Sequence, residues 1–234
     1  MADIFREVEE DVRKERLEQL WKRYGDYAIA VVAVILIVVA GYVLWQRYQA
    51  SQRAKAAAEF TAVQRITNPA IAAGDFANLA KTAPGGYAEL ARLEQADALS
   101  AAGKNSEALD LYKKIAAGDD GLLGNLARLR AGWLAVETAS KNDLETLLAP
   151  LTDPTSPWRQ SAREVLAYGQ FRNGDMKGAE TEFEALANDS GSPDSLRQRA
   201  RAMASFIKNG GEANYGSVPP ETPPTPAAAA PSTP

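Results

Sequence analysis

The chain has 234 residues, rich in alanine and leucine, with 26 basic against 30 acidic side chains and a formal net charge of -4. That length suits one ordinary domain with accessory segments, and the acidic balance removes the electrostatic basis for a nucleic-acid partner. Cysteine and histidine are both missing, which excludes thiol nucleophiles, thiolate and imidazole metal sites, and the Ser-His-Asp arrangement.

The first element is a charged tail over residues 1–26. Ile4, Phe5, Val8 and Val12 share one helical face, and Leu17, Leu20, Trp21 and Tyr24 another. At about 100° per residue these faces lie half a turn apart, so one straight helix does not bury both against one surface. Two half-helices, or two partners, do. The second stripe reads as lying along lipid headgroups beside the segment that follows. Ile4, Phe5, Val8 and Val12 are left as a candidate contact for a cytosolic partner.

Residues 27–46 contain no charge, and Ala28 to Trp45 form an 18-residue apolar run in which eleven residues are Ile, Leu or Val. As a helix this run is about 27 Å long, close to the hydrocarbon thickness of a bilayer. Its aliphatic residues favour insertion by about 3 to 7 kcal/mol. Trp21, Tyr24 and Tyr27 flank one end and Tyr42, Trp45 and Tyr48 the other, in the manner of interfacial aromatic belts. Gln46, Arg47, Arg53 and Lys55 come before any small-residue cleavage pattern, so a retained transmembrane helix is expected rather than a cleaved signal. Arg13, Lys14, Arg16, Lys22 and Arg23 precede the span, against Arg47, Arg53 and Lys55 after it. The excess places the N-terminus in the cytoplasm and the rest, in a bacterium, in the periplasm.

Beyond the span, a helix is expected through Phe60 to about Thr67, followed by a break at Asn68-Pro69 and a short helix closed by Pro84-Gly85-Gly86. Two later stretches then repeat each other: GKNSEALDLYKKIA from Gly103 and GDMKGAETEFEALA from Gly174. Ala108, Tyr112 and Ile115 align with Ala179, Phe183 and Leu186, and a middle copy places Leu144, Leu148 and Leu151 in the same positions. Twelve residues before the first position of each copy stands a small residue, Ala96, Gly132 or Ala167. The pattern resembles the tetratricopeptide repeat, a helical hairpin of about 34 residues. It departs where the repeat carries a first-helix tryptophan, since Arg92, Arg128 and Arg163 stand there. Gly103, Asn105, Pro154, Pro157 and Asn173 to Asp175 supply the breaks between helices. Asp194 is expected to cap a closing helix from Ser195 to Lys208. The Pro- and Ala-rich tail that follows is expected to be disordered.

The fold class is therefore all-α, with a single N-terminal transmembrane helix followed by a tetratricopeptide repeat-like α-solenoid. The expected domains are 1–26, a cytoplasmic amphipathic tail; 27–46, the transmembrane helix; 47–208, the periplasmic repeat domain; and 209–234, the tail. Repeat geometry puts first-helix positions on a concave groove, which here carries Leu90, Leu93, Asp97, Leu126, Leu129, Trp133, Glu164, Tyr168 and Phe171. Such a surface suits an extended or helical peptide. Leu93, Leu129 and Phe171 also fit ordinary core positions, whereas Trp133 and Tyr168 are the stronger anchor candidates. The acidic pairs Glu107 with Asp110 and Glu180 with Glu184 read as solvated charge. No Gly-rich phosphate loop or metal-ligand spacing occurs, so neither an enzyme nor a cofactor site is expected.

The order of parts carries a resemblance of its own. Trp21-Lys22-Arg23-Tyr24-Gly25 leads into the span, a helix carries Lys55 to Phe60, and Pro84-Gly85-Gly86-Tyr87-Ala88-Glu89-Leu90-Ala91 precedes the repeats. Leu196-Arg197-Gln198-Arg199-Ala200 follows them. Over residues 1–208 this resembles the YfgM-type ancillary subunits of the bacterial SecYEG translocon. The resemblance implies an inner-membrane protein with its repeat domain in the periplasm. It would act near the SecYEG translocon and a PpiD-type chaperone, assisting exported polypeptides, and some members connect through the tail to a stress-response regulator. Two alternatives use the same architecture: a scaffold of envelope organisation or cell division binding through the groove, and a regulator acting mainly through the cytoplasmic tail.

Overall fold

In the computed structural model the described residues are 2–213, without the side chains of 2–20 and of Ala28. All regular structure among them is helical: α1 (Ala2–Gln64), α2 (Pro69–Thr82), α3 (Gly86–Ala101), α4 (Asn105–Gly118), α5 (Leu122–Ala135), α6 (Lys141–Leu148), α7 (Arg159–Arg172), α8 (Met176–Asn188) and α9 (Asp194–Lys208). A 3-10 turn, Ala149–Leu151, extends α6. The chain divides into two units, residues 1–67 with 75–91 and residues 68–74 with 92–234.

In the first unit α1 runs without interruption, so the two tail stripes lie on one continuous backbone rather than on two half-helices. The side chains of Ile4, Phe5, Val8 and Val12 lie outside the described residues. From Trp21 onward α1 is long and apolar enough to cross a membrane, and none of its most apolar window is buried. A core helix of a water-soluble fold hides such a face; here Ile35, Leu36, Ile37 and Val38 are all exposed. Toward its end α1 becomes amphipathic. Ala56 and Phe60 are buried, and the Phe60 ring packs 5.4 Å from Phe76 and 6.3 Å from Tyr87 between centroids.

The second unit is built from helix hairpins. Asn68 opens its first segment by accepting the Ala70 and Ile71 N–H groups on its side-chain oxygen, at 3.0 and 3.3 Å, which caps α2 ahead of Pro69. The expected repeat is present in register. Ala96, Gly132 and Ala167 are buried on α3, α5 and α7, while Ala108 with Tyr112, Leu144 with Leu148, and Ala179 with Phe183 are buried on α4, α6 and α8. A Cβ on Gly132 would stand 3.0 Å from a Leu148 methyl and 3.3 Å from Val165, so α5 approaches its neighbours closely because that position is small.

The α3–α4 and α7–α8 turns close by one device. Gly103 (φ +75°) and Gly174 (φ +84°) adopt the left-handed conformation. In each case the next residue donates back to the helix: Lys104 to the Leu99 carbonyl and Asp175 to that of Gln170, both at 2.9 Å, which is the Schellman closure. Gly210 (φ +83°) repeats it after α9, with Gly211 donating to the Phe206 carbonyl. By this closure, α9 is the counterpart of α3 and α7, a fourth first helix with no second among the described residues. The expected cap at Asp194 is not formed. Pro193 holds the cap position and Asp194 is the first helical residue, because Arg197 one turn later takes its carboxylate.

Candidate functional site

Four rings connect successive first helices. Trp133 on α5 lies 5.8 Å from Tyr168 on α7, Tyr168 lies 5.9 Å from Phe171, and Phe171 meets Phe206 of α9 edge-on at 6.1 Å. These separations suit tilted and edge-to-face aromatic contacts. Phe171 is fully buried and forms the floor, while Trp133 at one end keeps 40 % of its surface exposed. Tyr168 and Phe206 are half-buried between them.

Charged side chains border this strip. On one flank Asp97 accepts hydrogen bonds from Tyr112 of α4 and Arg130 of α5. Burial, with a contribution from Glu94, pushes the Tyr112 phenol up to about 12, so it remains a donor to Asp97 throughout the neutral range. On the other flank Arg172 pairs with Glu137 and donates to the Ala213 carbonyl. Glu164 of α7 is 6 % exposed and accepts two parallel bonds of 2.8 Å from Arg199 of α9. That fork geometry raises the Arg199 pKa further above its ordinary value.

The expected groove residues divide accordingly. Trp133 and Tyr168 come together on the strip, and Asp97 lies at its flank. Leu93 and Phe171, 1 % and 0 % exposed, belong to the core and cannot meet a partner directly. Glu164 is likewise not a groove charge, because α9 covers it and Arg199 neutralises it. Leu129 packs on the core of Leu148, Leu151, Ala162 and Val165, and Leu126 is half-buried on α5. Leu90 falls in the first unit, where it lines a cleft of about 700 Å³ with Gln49, Arg53, Pro84 and Tyr87.

Sequence reasoning missed Phe206, Met203 and Arg172. The first two were findable from the period, since Trp133, Tyr168 and Met203 stand 35 residues apart, as do Phe171 and Phe206. The arginines at the expected tryptophan positions also gain a role. Arg128 is buried and donates to the Ala116 carbonyl at 2.8 Å and to Asn125 at 2.9 Å. It thereby satisfies an otherwise orphaned acceptor in the last turn of α4, at the negative end of that helix. Arg163 pairs with Glu182 at 3.0 Å.

Comparison with known families bears on the same hairpins. The model of the tetratricopeptide repeat-like domain matches residues 18–160, more than half of the chain. The chain belongs to the tetratricopeptide repeat-like domain family. The match runs from within α1 to the start of α7, so α7, α8 and α9 extend the repeat-like domain beyond it by internal similarity. No curated protein and no solved structure matches. A tetratricopeptide repeat-like domain is a protein–protein interaction module, generally non-catalytic, and the strip from Trp133 to Phe206 is where this one presents aromatic surface on its first helices.

Proposed function

We propose that this protein is a membrane-tethered interaction module of the bacterial inner membrane, an accessory subunit of the SecYEG translocon that helps a PpiD-type periplasmic chaperone to handle exported polypeptides. The observation that carries the reading is the combination in one chain of an unburied apolar helix with a tetratricopeptide repeat-like domain whose first helices bear an aromatic strip. Residues 27–46 are the anchor, and the basic residues before it set the N-terminus inside. The repeat domain, residues 47–208, then works in the periplasm, where chains emerging from the translocon present extended apolar segments. Trp133 and Tyr168 offer such segments broad, rigid contact area, and Asp97, Arg130 and Arg172 can orient their backbone. The placement at the translocon rests on the resemblance in residues 1–208 to YfgM-type subunits. The stripe of Ile4, Phe5, Val8 and Val12 is a second contact, for a cytosolic partner.

Crosslinking in intact cells, followed by identification of the proteins joined to the chain, tests this reading. Translocon subunits and a PpiD-type chaperone are the expected captures, reduced by Trp133→Ala. Division or cell-wall proteins captured in their place would make the chain an envelope scaffold.

A further inference from the structure

The segment Pro84-Gly85-Gly86-Tyr87 takes no part in the aromatic strip, yet it forms one wall of the cleft of about 700 Å³ in the first unit, opposite Gln49 and Arg53 of α1. That volume lies in the range of about 300 to 1,000 Å³ usual for small-molecule sites. Two glycines keep the cleft open. Gly85 takes the left-handed conformation (φ +47°), and a Cβ on Gly85 or Gly86 would meet nothing within 4 Å. Pro84, Tyr87 and Leu90 make this wall largely apolar, and the Tyr87 ring is seated against Phe60. Among the described residues that line the cleft, exposed Arg53 is the one that carries charge, and no carboxylate stands there to pair with it.

Trp45, Gln49 and Arg53 stand four residues apart and therefore share one face of α1. Toward the N-terminus that face continues through Tyr42, whose ring lies 6.3 Å from that of Trp45, to Val38, all three exposed. Where the apolar run ends at Trp45, Gln49 lies about 6 Å and Arg53 about 12 Å farther along the helix axis. The polar layer on each side of a bilayer is about 5 to 8 Å deep, so Gln49 stands at headgroup level. Helical side chains lean toward the N-terminal end, here toward the bilayer, and a long arginine carries its charge down with it. From this geometry we propose that the cleft binds the phosphate headgroup of an anionic phospholipid, with Arg53 as its counter-ion and the acyl chains along Trp45, Tyr42 and Val38. A zwitterionic headgroup fits less well, because its ammonium group finds no carboxylate in the cleft. A glycerol headgroup finds polar partners in Gln49 and Tyr87. A soluble phosphate leaves the exposed apolar face below the cleft uncovered, whereas a lipid covers both. The bound lipid bridges α1 and the start of α3, which gives the Pro84-Gly85-Gly86-Tyr87 segment its role.

This inference rests on α1 being the membrane anchor. The test is native mass spectrometry of the full-length chain in detergent micelles, titrated with phosphatidylglycerol or phosphatidylethanolamine. Phosphatidylglycerol is expected to bind about fivefold or more tightly. Arg53→Gln is expected to abolish most of that preference, with helicity unchanged by circular dichroism. Gly86→Leu, which fills the cleft without altering any charge, is expected to weaken phosphatidylglycerol by a comparable factor. Arg47→Gln, equally close to the span but outside the cleft, is expected to leave binding unchanged. Equal losses in Arg53→Gln and Arg47→Gln would mean general surface charge and overturn the proposal, as would undiminished binding by Gly86→Leu or no preference between the two lipids. An excess of inorganic phosphate is expected to leave the lipid bound; displacement would assign the cleft to a soluble anion and overturn the lipid. A chain that resists alkaline carbonate extraction from membranes yet shows no lipid preference loses the cleft proposal and keeps its anchor, whereas one that carbonate releases loses both.

Discussion

At the scale of single residues, two buried polar contacts give measurable predictions. Tyr112 is 3 % exposed, donates to Asp97 and titrates near 12 instead of 10. Because the folded value lies above the unfolded one, its contribution to stability is complete below pH 10 and is lost as pH rises toward 12. Tyr112→Phe removes the hydrogen bond, costs about 1 kcal/mol near neutrality, and abolishes that alkaline loss. Urea titrations at several alkaline pH values measure both. Asp119 gives the opposite sign. Its carboxylate accepts the N–H groups of Gly121 and Gly124 at 2.7 and 2.9 Å, which hold it below the usual carboxylate range. Its contribution is present above the ordinary value and declines as pH falls through the lower folded one. Glu164 and Arg199 are asymmetric partners, one buried and the other largely exposed. Arg199→Ala strands a buried carboxylate and is expected to cost about 2 kcal/mol. Combining it with Glu164→Leu recovers part of that loss, and a double-mutant cycle by urea denaturation reads the coupling.

At the scale of elements, the hairpin turns and helix starts depend on particular glycines. Gly174→Ala forces a Cβ into the left-handed region and is expected to destabilise by about 1 kcal/mol. Gly124→Ala has a different cause, since its Cβ would fall 1.6 Å from the Asp119 carbonyl oxygen. The first turn of α5 must then move, and the loss is expected to exceed that at Gly174; thermal melts of the two variants compare them. What was legible in the sequence follows the same physics. The apolar run and the repeat register could be read because a long unburied apolar helix and hairpin packing each leave a local pattern, on Ala28 to Trp45 and on Ala96, Gly132 and Ala167. Contacts such as Arg128 with the Ala116 carbonyl or Arg199 with Glu164 join different helices and leave no local pattern. Phe206 was overlooked because the segment from Ser195 to Lys208 was expected only to close the stack, although its turn at Gly210 marks α9 as a first helix. Asp194 conformed to capping preference, and a local ion pair with Arg197 overrode it.

At the scale of the whole molecule, a tetratricopeptide repeat-like interaction domain is joined in one chain to a helix long and apolar enough to cross a membrane. In the proposed reading the apolar helix is an anchor that holds the chain at the membrane surface, which would raise its encounter rate with membrane-bound partners without adding any contact. In the same proposed reading binding falls to the strip, where Trp133 is the exposed end. Protease added to spheroplasts is expected to cleave the repeat domain; its survival there would reverse the orientation. The most direct measurement places a photo-crosslinking amino acid at position 133 in living cells, with a control at Glu184 on the exposed face of α8. Crosslinks from position 133 to translocon subunits, their chaperone or exported chains, and none from position 184, are the predicted result. Equal labelling from both positions, or none from 133, contradicts the account.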